Sequence, residues 1–129
     1  MPLAADLKIM VVDDQFSVRQ MTRLTLRELG IRNIHESENG KEALQKIGAQ
    51  PPDLVISDYN MPEMDGLAFL RAVRGHETMS KLPFIMLTGR GDRELVVKAA
   101  QAGVNNYLVK PFSAAALREK IEQVIGKLS

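Results

Sequence analysis

The chain has 129 residues, 45% of them hydrophobic, enough for one core of ordinary size, so we predict a single domain over residues 1–129. Its 17 basic and 16 acidic side chains leave a net charge of +1, which gives no general reason to bind nucleic acid or an anionic membrane. There is no cysteine for a disulfide framework, and the longest apolar runs have four residues, too few for a membrane span or a signal peptide. We therefore expect a soluble, cytoplasmic protein.

Strand-like and helix-like segments alternate five times along the chain. Short apolar, β-branched runs predict strands, and apolar residues three or four apart predict helices. In chain order the first five predicted elements are the strand Lys8–Val12, a helix with apolar residues at Val18, Met21, Leu24, Leu26 and Leu29 that Gly30 ends, the strand Ile34–Ser37, a helix over Glu42–Ile47, and the strand Leu54–Ser57. The other five are a helix from Leu67 to about Arg74, the strand Phe84–Leu87, a helix over Asp92–Ala102 that Gly103 ends, the strand Asn106–Val109, and a helix with its N-cap at Ser113 and apolar residues to Leu128.

This alternation predicts an α/β fold, a doubly wound parallel sheet of five strands with right-handed crossovers and helices on both faces. The continuous apolar strands indicate that both faces of the sheet are buried. Because the chain stops one residue after Leu128, we expect no linker or output domain.

Polar side chains follow the strands at their carboxyl ends: Asp13, Asp14, Asp58, Thr88 and Lys110. In a parallel sheet these ends lie along one rim, so the five side chains would meet in one pocket. The three carboxylates would repel one another unless a cation lay between them, and Mg²⁺ prefers oxygen ligands of this kind. With Mg²⁺ and Lys110 present, the pocket would accept the charge of a phosphoryl group. We predict a phosphoryl-transfer site with Asp58, on the central strand, as nucleophile.

The motifs around these residues resemble those of the receiver domains of two-component response regulators, and in particular the stand-alone chemotaxis regulators, from about Lys8 to Leu128. The residues that carry the resemblance are Val11–Asp14, Ser57–Pro62, Met64–Leu67, Leu87–Gly89, Ala99–Gly103 and Tyr107–Phe112. The resemblance implies the flavodoxin-like (CheY-like) fold with strand order 2-1-3-4-5 and five helices.

The resemblance also implies the chemistry of the pocket. Asp58 would accept a phosphoryl group from the phosphohistidine of a histidine kinase, with Mg²⁺ as the cofactor. Thr88 and Lys110 would engage the phosphoryl oxygens, and the lysine would precede a cis proline at Pro111. The protein would be a switch and not an enzyme, since it catalyses only its own phosphorylation and dephosphorylation. The implied Mg²⁺ ligands are Asp13, Asp14, Asp58 and the backbone carbonyl of Asn60.

The same resemblance implies an output surface. Tyr107 matches the switch aromatic of the family, which turns inward when Thr88 moves toward the phosphate, and an ordinary half-buried strand tyrosine is the alternative. The target would bind the surface formed by the fourth helix, fifth strand and fifth helix. Implied partners are the kinase, a downstream target such as a flagellar motor switch component, and a phosphatase, with the chain itself a monomer. Candidate target contacts are Arg93, Val96, Ala100, Tyr107 and Lys120.

Two residues depart from the family pattern, which leaves the phosphate lifetime and the choice of partner open. Gln15 stands where the chemotaxis regulators have an aromatic residue, and Arg90 stands where they have an acid. We expect Asn60 and Arg90 to modulate the attack of water on phosphorylated Asp58. A solvent-exposed, inactive Arg90 is the alternative.

Other functions stay open at this point. A flavodoxin-like cofactor protein would need a first loop rich in Ser, Thr and Gly, where this chain has Asp13, Asp14 and Gln15. An aspartyl-phosphate phosphatase would need a second acid two residues after Asp58, where Asn60 stands. A phosphorelay intermediate, or a receiver module taken from a larger hybrid kinase or DNA-binding regulator, would share every motif quoted above.

Overall fold

The computed structural model describes residues 3–89 and 93–129. In this part of the chain the ten predicted elements are all present, preceded by a short 3-10 helix over Ala4–Asp6 that the sequence did not predict. The strands are β1 (Lys8–Val12), β2 (Asn33–Ser37), β3 (Leu54–Asp58), β4 (Phe84–Thr88) and β5 (Asn106–Val109). The helices are α1 (Phe16–Glu28), α2 (Gly40–Ala49), α3 (Gly66–Arg74), α4 (Arg93–Gln101) and α5 (Ala114–Ile125). None of the described helices combines the length and apolar character needed to cross a bilayer.

The five strands form one parallel sheet in the order β2-β1-β3-β4-β5, which confirms the predicted topology. Strand β3 lies at the centre, between β1 and β4. The last residue of β1, Val12, pairs with Ser57, and the last residue of β3, Asp58, pairs with Leu87, so neighbouring strands end within one residue of each other. The side chains that follow these strands therefore emerge at one edge of the sheet.

Each face of the sheet is covered by its own hydrophobic cluster, because successive strand residues point to opposite faces. On β1, Ile9 and Val11 belong to the cluster that includes residues of α1 and α5, and Met10 and Val12 to the cluster that includes residues of α2 and α3. Strands β3 and β4 are buried along their whole length. Two buried clusters hold the central strands rigid, so Asp58 and Thr88 are presented from a fixed scaffold.

The ends of the helices follow the predicted signals except in α5. Gly30 and Gly103 have positive φ angles of 90° and 93° after α1 and α4, and the Ser113 side chain accepts a hydrogen bond from the Ala116 amide at the start of α5. Apolar spacing predicted that α5 continues to Leu128, which is wrong. The helix ends at Ile125, and Leu128 reaches the core from the segment beyond it. The apolar spacing of Leu128 had suggested a helical turn that the chain does not make.

The apolar spacing of α1 located the helix but not its buried face. Met21 and Leu24 are 66% and 57% exposed, whereas the buried positions belong to Arg19, Thr22 and Leu26. Two of these three buried residues are polar, so hydrophobicity alone misassigns the inner face. The outer face of α1 is left with exposed apolar side chains beside the edge of the sheet where the strands end.

Gly66, the first residue of α3, packs directly against the backbone that follows β3. A Cβ atom at this position would lie 2.5 Å from the Asp58 carbonyl oxygen and 2.8 Å from the Tyr59 Cα atom. We expect Gly66→Ala to lower the free energy of unfolding by about 1–3 kcal/mol, measured by urea denaturation. Gly48→Ala is the matched control, because a Cβ atom there meets nothing within 4 Å and α2 should gain about 0.5–1 kcal/mol. Equal effects of the two substitutions would contradict this account of Gly66.

Candidate functional site

Three carboxylates meet at the edge where the strands end. One oxygen atom from each of Asp13, Asp14 and Asp58 lies within 4.8 Å of the others. Asp13 and Asp58 are buried and Asp14 is exposed, so the cluster opens to solvent on the Asp14 side. The structure thus brings together the three acids that the sequence singled out.

Lys110 supplies a cation to this cluster. Its Nζ atom lies 2.8 Å from Asp58 Oδ1 and 3.9 Å from Asp13 Oδ2, and its side chain is 21% exposed. The peptide bond between Lys110 and Pro111 is cis, as the resemblance implied. The ammonium group therefore pairs mainly with Asp58 and more weakly with Asp13.

Thr88 is the last residue of β4 and is buried. Its carbonyl oxygen accepts a hydrogen bond of 2.7 Å from the Lys110 amide, which ties the end of β5 to the end of β4. The preceding residue, Leu87, pairs with Asp58 and accepts a hydrogen bond from the Tyr59 amide. Backbone hydrogen bonds thus fix Asp58, Thr88 and Lys110 relative to one another.

The carboxyl group of Asp13 has a raised pKa. Burial of the group raises this pKa; the hydrogen bond from the Gln15 amide opposes this rise, and the neighbouring charge of Asp58 adds to it. Oδ1 accepts that hydrogen bond at 2.9 Å, whereas Oδ2 is buried without a hydrogen-bond partner among the described residues. A buried carboxylate oxygen facing further carboxylates fits a small divalent cation with oxygen ligands. The residues present therefore suit the predicted Mg²⁺.

An open cleft of about 430 Å³ adjoins the acids. Asp14 and Asn60 both line it, so the predicted metal-binding and modulating residue Asn60 lies beside the acidic cluster. The remaining lining residues are Tyr59, Met61, Pro62 and Asp65. Arg90, the other predicted modulating residue, lies outside the described residues.

The sequence model of the response regulator receiver domain matches residues 9–122. This chain belongs to that family. The matched residues span β1 to α5 and include the three acids, Thr88 and Lys110. The receiver domain is a signalling module, and the acidic pocket lies where its strands end.

Two relatives match over nearly the whole chain. One is the "Probable chemotaxis protein CheY" of Rhizobium etli, 44% identical over 128 residues that cover 99% of either chain. Another is the chemotaxis protein CheY-3 of Vibrio cholerae, 40% identical over 126 residues that cover 98% of this chain and 97% of the relative. Among solved structures, the chemotaxis protein CheY4 of Vibrio cholerae is 35% identical with a TM-score of 0.86, covering 92% of this chain and 98% of that one. The receiver domain is thus CheY-like in both sequence and fold.

The predicted output residues of the receiver domain are accessible. Tyr107 is exposed, and the Lys120 Nζ atom lies 5.6 Å from the centroid of its ring. Arg93 and Ala100 on α4 are exposed, and Val96 is partly buried. Val97 and Val109 are also exposed, although the sequence analysis did not single them out. Two further apolar side chains are therefore available on the elements that carry Tyr107 and Arg93.

The sequence analysis did not predict a network of charged side chains behind Asp13. The guanidinium group of Arg19 donates to the Asp13 carbonyl oxygen and to the carboxylate of Glu36 at the end of β2. No motif marks this pair, because the two residues are 17 positions apart and meet only through the packing of α1 on the sheet. An arginine among the hydrophobic positions of α1 was the only available signal.

Proposed function

We propose that this receiver domain is a phosphorylation-dependent switch in which Asp58 accepts a phosphoryl group from a histidine kinase. The observation that carries the proposal is the 2.8 Å contact between Lys110 Nζ and Asp58 Oδ1 within a pocket of three carboxylates. Lone acids at strand ends are commonly caps or turns, but an acid held by a lysine beside a buried threonine is arranged for phosphoryl chemistry. The proposed domain covers residues 1–129 and acts as a monomer.

In the proposed reaction an Asp58 carboxylate oxygen attacks phosphorus, the phosphorus–nitrogen bond of phosphohistidine breaks, and the imidazole leaves. Lys110 keeps its ammonium group beside the attacking carboxylate and stabilises the charge on the phosphoryl oxygens. Thr88 offers a hydroxyl donor to the same oxygens. Asp13, Asp14, Asp58 and the Asn60 carbonyl would hold Mg²⁺, which when bound offsets the negative charge of carboxylates and phosphoryl group.

The proposed output follows from the position of Thr88 at the end of β4, beside β5 and Tyr107. A shift of Thr88 toward the phosphoryl group would leave room for Tyr107, now exposed, to turn inward and change the surface of α4, β5 and α5. Arg93, Val96, Ala100, Tyr107 and Lys120 are the proposed target contacts. The names of the relatives support a role in chemotaxis. A flagellar motor switch component is the proposed target.

The kinase is proposed to dock on the exposed apolar face of α1. A groove of about 350 Å³ is lined by Val18 and Met21 on α1 and by Lys110, Pro111 and Phe112, together with Thr22 and Thr25. Lys110 belongs to both this groove and the acidic pocket, so a phosphohistidine within reach of Asp58 brings its own protein over the groove. Exposed apolar surface of this kind is typical of interaction sites.

A charged side chain placed in the groove should impair phosphorylation by a kinase but not phosphorylation by a small-molecule phosphodonor. We expect Met21→Glu to raise the half-saturating concentration of a phosphorylated kinase about tenfold, equivalent to about 1.4 kcal/mol. The rate of phosphorylation by acetyl phosphate should not change, because that donor needs no docking surface. Leu3→Glu is the control, since Leu3 is exposed and precedes the 3-10 helix at the amino end of β1, away from the acids. If Met21→Glu slowed phosphorylation by the kinase and by acetyl phosphate equally, docking at this groove would be contradicted.

The direct test of the function is a phosphotransfer profile against a panel of purified histidine kinases, followed by capture experiments with beryllofluoride as the phosphoryl mimic. Rapid transfer from a chemotaxis kinase and beryllofluoride-dependent capture of a flagellar switch protein would support the proposal. Onward transfer to a histidine phosphotransfer domain would instead indicate a phosphorelay intermediate. Absence of labelling by every kinase and by acetyl phosphate would contradict the proposed function.

A further inference from the structure

A buried cation lies behind the acidic pocket. Arg19, in the first half of α1, is only 7% exposed. Its Nη1 atom donates to the Asp13 carbonyl oxygen at 2.6 Å, and its Nε atom donates to Glu36 Oε1 at 3.1 Å. The exposed ring of Phe16 lies over the guanidinium group, 5.5 Å from Cζ to the ring centroid. The cation thus joins the loop that carries the acids to the neighbouring strand.

Glu36 holds the other side of this bridge. It is the residue before Ser37 at the end of β2, and its carboxylate also accepts hydrogen bonds from Gln20 Nε2 at 2.9 Å and from Arg23 Nη1 at 2.8 Å. The Lys46 ammonium group donates to its carbonyl oxygen at 2.7 Å. Glu36 is therefore fixed in side chain and backbone, and its charge compensates the buried Arg19.

Three hydrogen bonds hold Asp13 in place as a result. Its amide donates to the Ser37 carbonyl oxygen at 3.1 Å, its carbonyl oxygen accepts from Arg19, and its Oδ1 accepts from the Gln15 amide. Oδ2 is the carboxylate oxygen left over, 3.9 Å from Lys110 Nζ. We propose that Arg19 is a positioning residue, which orients Asp13 so that Oδ2 is ready for the metal ion. This inference rests on the proposed function.

The arginine side chain meets both acceptors at once. The planar guanidinium group carries donors on separate nitrogen atoms, so it bonds a carbonyl and a carboxylate without changing conformation. A lysine in the same place carries all three of its donors on one nitrogen atom and lacks the rigid fork that meets the two acceptors from separate nitrogen atoms. Charged donors also make the stronger hydrogen bonds, which suits a contact that must hold a loop against repulsion among three acids.

The test compares two arginines of one helix. Arg19→Met removes the bond to Asp13, whereas Arg23→Met removes a partner of Glu36 that makes no hydrogen bond to Asp13 in the described part of the chain. Groups that orient metal ligands typically change metal affinity by 10–100-fold, so we expect the Mg²⁺ dissociation constant of Arg19→Met to rise about tenfold. Arg23→Met should stay within about twofold of the parent, a difference below half a kcal/mol. Titration followed by NMR amide shifts gives both constants.

Phosphorylation by acetyl phosphate supplies the readout that a stability role would not move. At limiting Mg²⁺, Arg19→Met should react about tenfold more slowly, and saturating Mg²⁺ should restore its rate. Arg19→Lys, which keeps the positive charge but not the guanidinium fork, should fall between Arg19→Met and the parent. Arg19→Lys and Glu36→Gln carry the comparison if Arg19→Met does not fold.

Two results would overturn the inference. One is equal Mg²⁺ affinity in the folded Arg19 and Arg23 variants, and the other is a slow rate that saturating Mg²⁺ does not restore. If either result is found while the parent chain is still labelled on Asp58 in a Mg²⁺-dependent way, the role of Arg19 is rejected and the proposed function stands. Loss of labelling in the parent chain would instead reject the proposed function.

Discussion

Asp58→Asn is expected to reduce phosphoryl labelling by acetyl phosphate or by a phosphorylated kinase to background. An amide of nearly the same size occupies the same place but offers no nucleophilic oxygen anion. Of the three clustered acids, Asp58 is the one whose carboxylate touches Lys110 at 2.8 Å, so no neighbour can take over with the same geometry. The measurement is incorporation of radiolabelled phosphate, with the modified residue located by mass spectrometry.

Asp53→Asn is the matched control for this prediction. Asp53 is exposed, lies just before the other end of β3, and accepts a hydrogen bond from the Lys8 amide that asparagine can also accept. We expect this variant to be labelled at the parent rate. Undiminished aspartyl phosphate in Asp58→Asn, or loss of labelling in both variants, would contradict the assignment.

The sequence predicted most of the fold because its strands carry unmistakable patterns. The central strands β3 and β4 are continuous apolar runs that are buried on both faces, and Gly30 and Gly103 end helices with the positive φ angles that glycine adopts readily. The pocket was predictable for a related reason. The ends of parallel strands share one edge of the sheet, so Asp13, Asp58 and the other pocket residues meet whatever the details of the loops.

What the sequence could not predict depends on packing between distant segments. Met21 and Leu24 have the spacing of a buried face, yet the inner positions of α1 are taken by Arg19 and Thr22. The reason is tertiary, since Arg19 has acceptors at Asp13 and Glu36 that exist only once α1 lies on the sheet. Leu128 likewise reaches the core without a helical turn. Apolar periodicity in the sequence predicts that a segment is helical, but it does not predict which face of the helix packs against the rest of the protein.

Asp13→Asn is expected to stabilise the metal-free protein and to remove most of its stabilisation by Mg²⁺. In the metal-free form, the charge of Asp13 is buried and lies within 4.8 Å of two other carboxylates, while the attraction of Lys110 at 3.9 Å offsets part of this repulsion. The net gain on removing the charge is therefore on the order of 1 kcal/mol. The free energy of unfolding, measured with and without Mg²⁺, gives both quantities.

Mg²⁺ acts in the opposite direction on the parent chain. Free Mg²⁺ a hundredfold above its dissociation constant stabilises the folded state by about 2.7 kcal/mol, which corresponds to a rise of about 10 °C in Tm for a chain of this size. Asp13→Asn loses an anionic ligand and should show a much smaller rise, as should Asp14→Ala. Asp53→Asn should retain the full rise, because its carboxylate is remote from the acidic cluster.

The two effects together predict that the stability curves of Asp13→Asn and the parent cross as Mg²⁺ is added. Below the crossing the variant is the more stable protein, since it lacks the repulsion. Above the crossing the parent is more stable, since the ion has converted the same repulsion into metal binding. A general loss of packing would lower the variant at every Mg²⁺ concentration, and a metal site elsewhere would keep the two curves parallel. A crossing therefore requires that the acids which destabilise the metal-free fold are those that hold the ion.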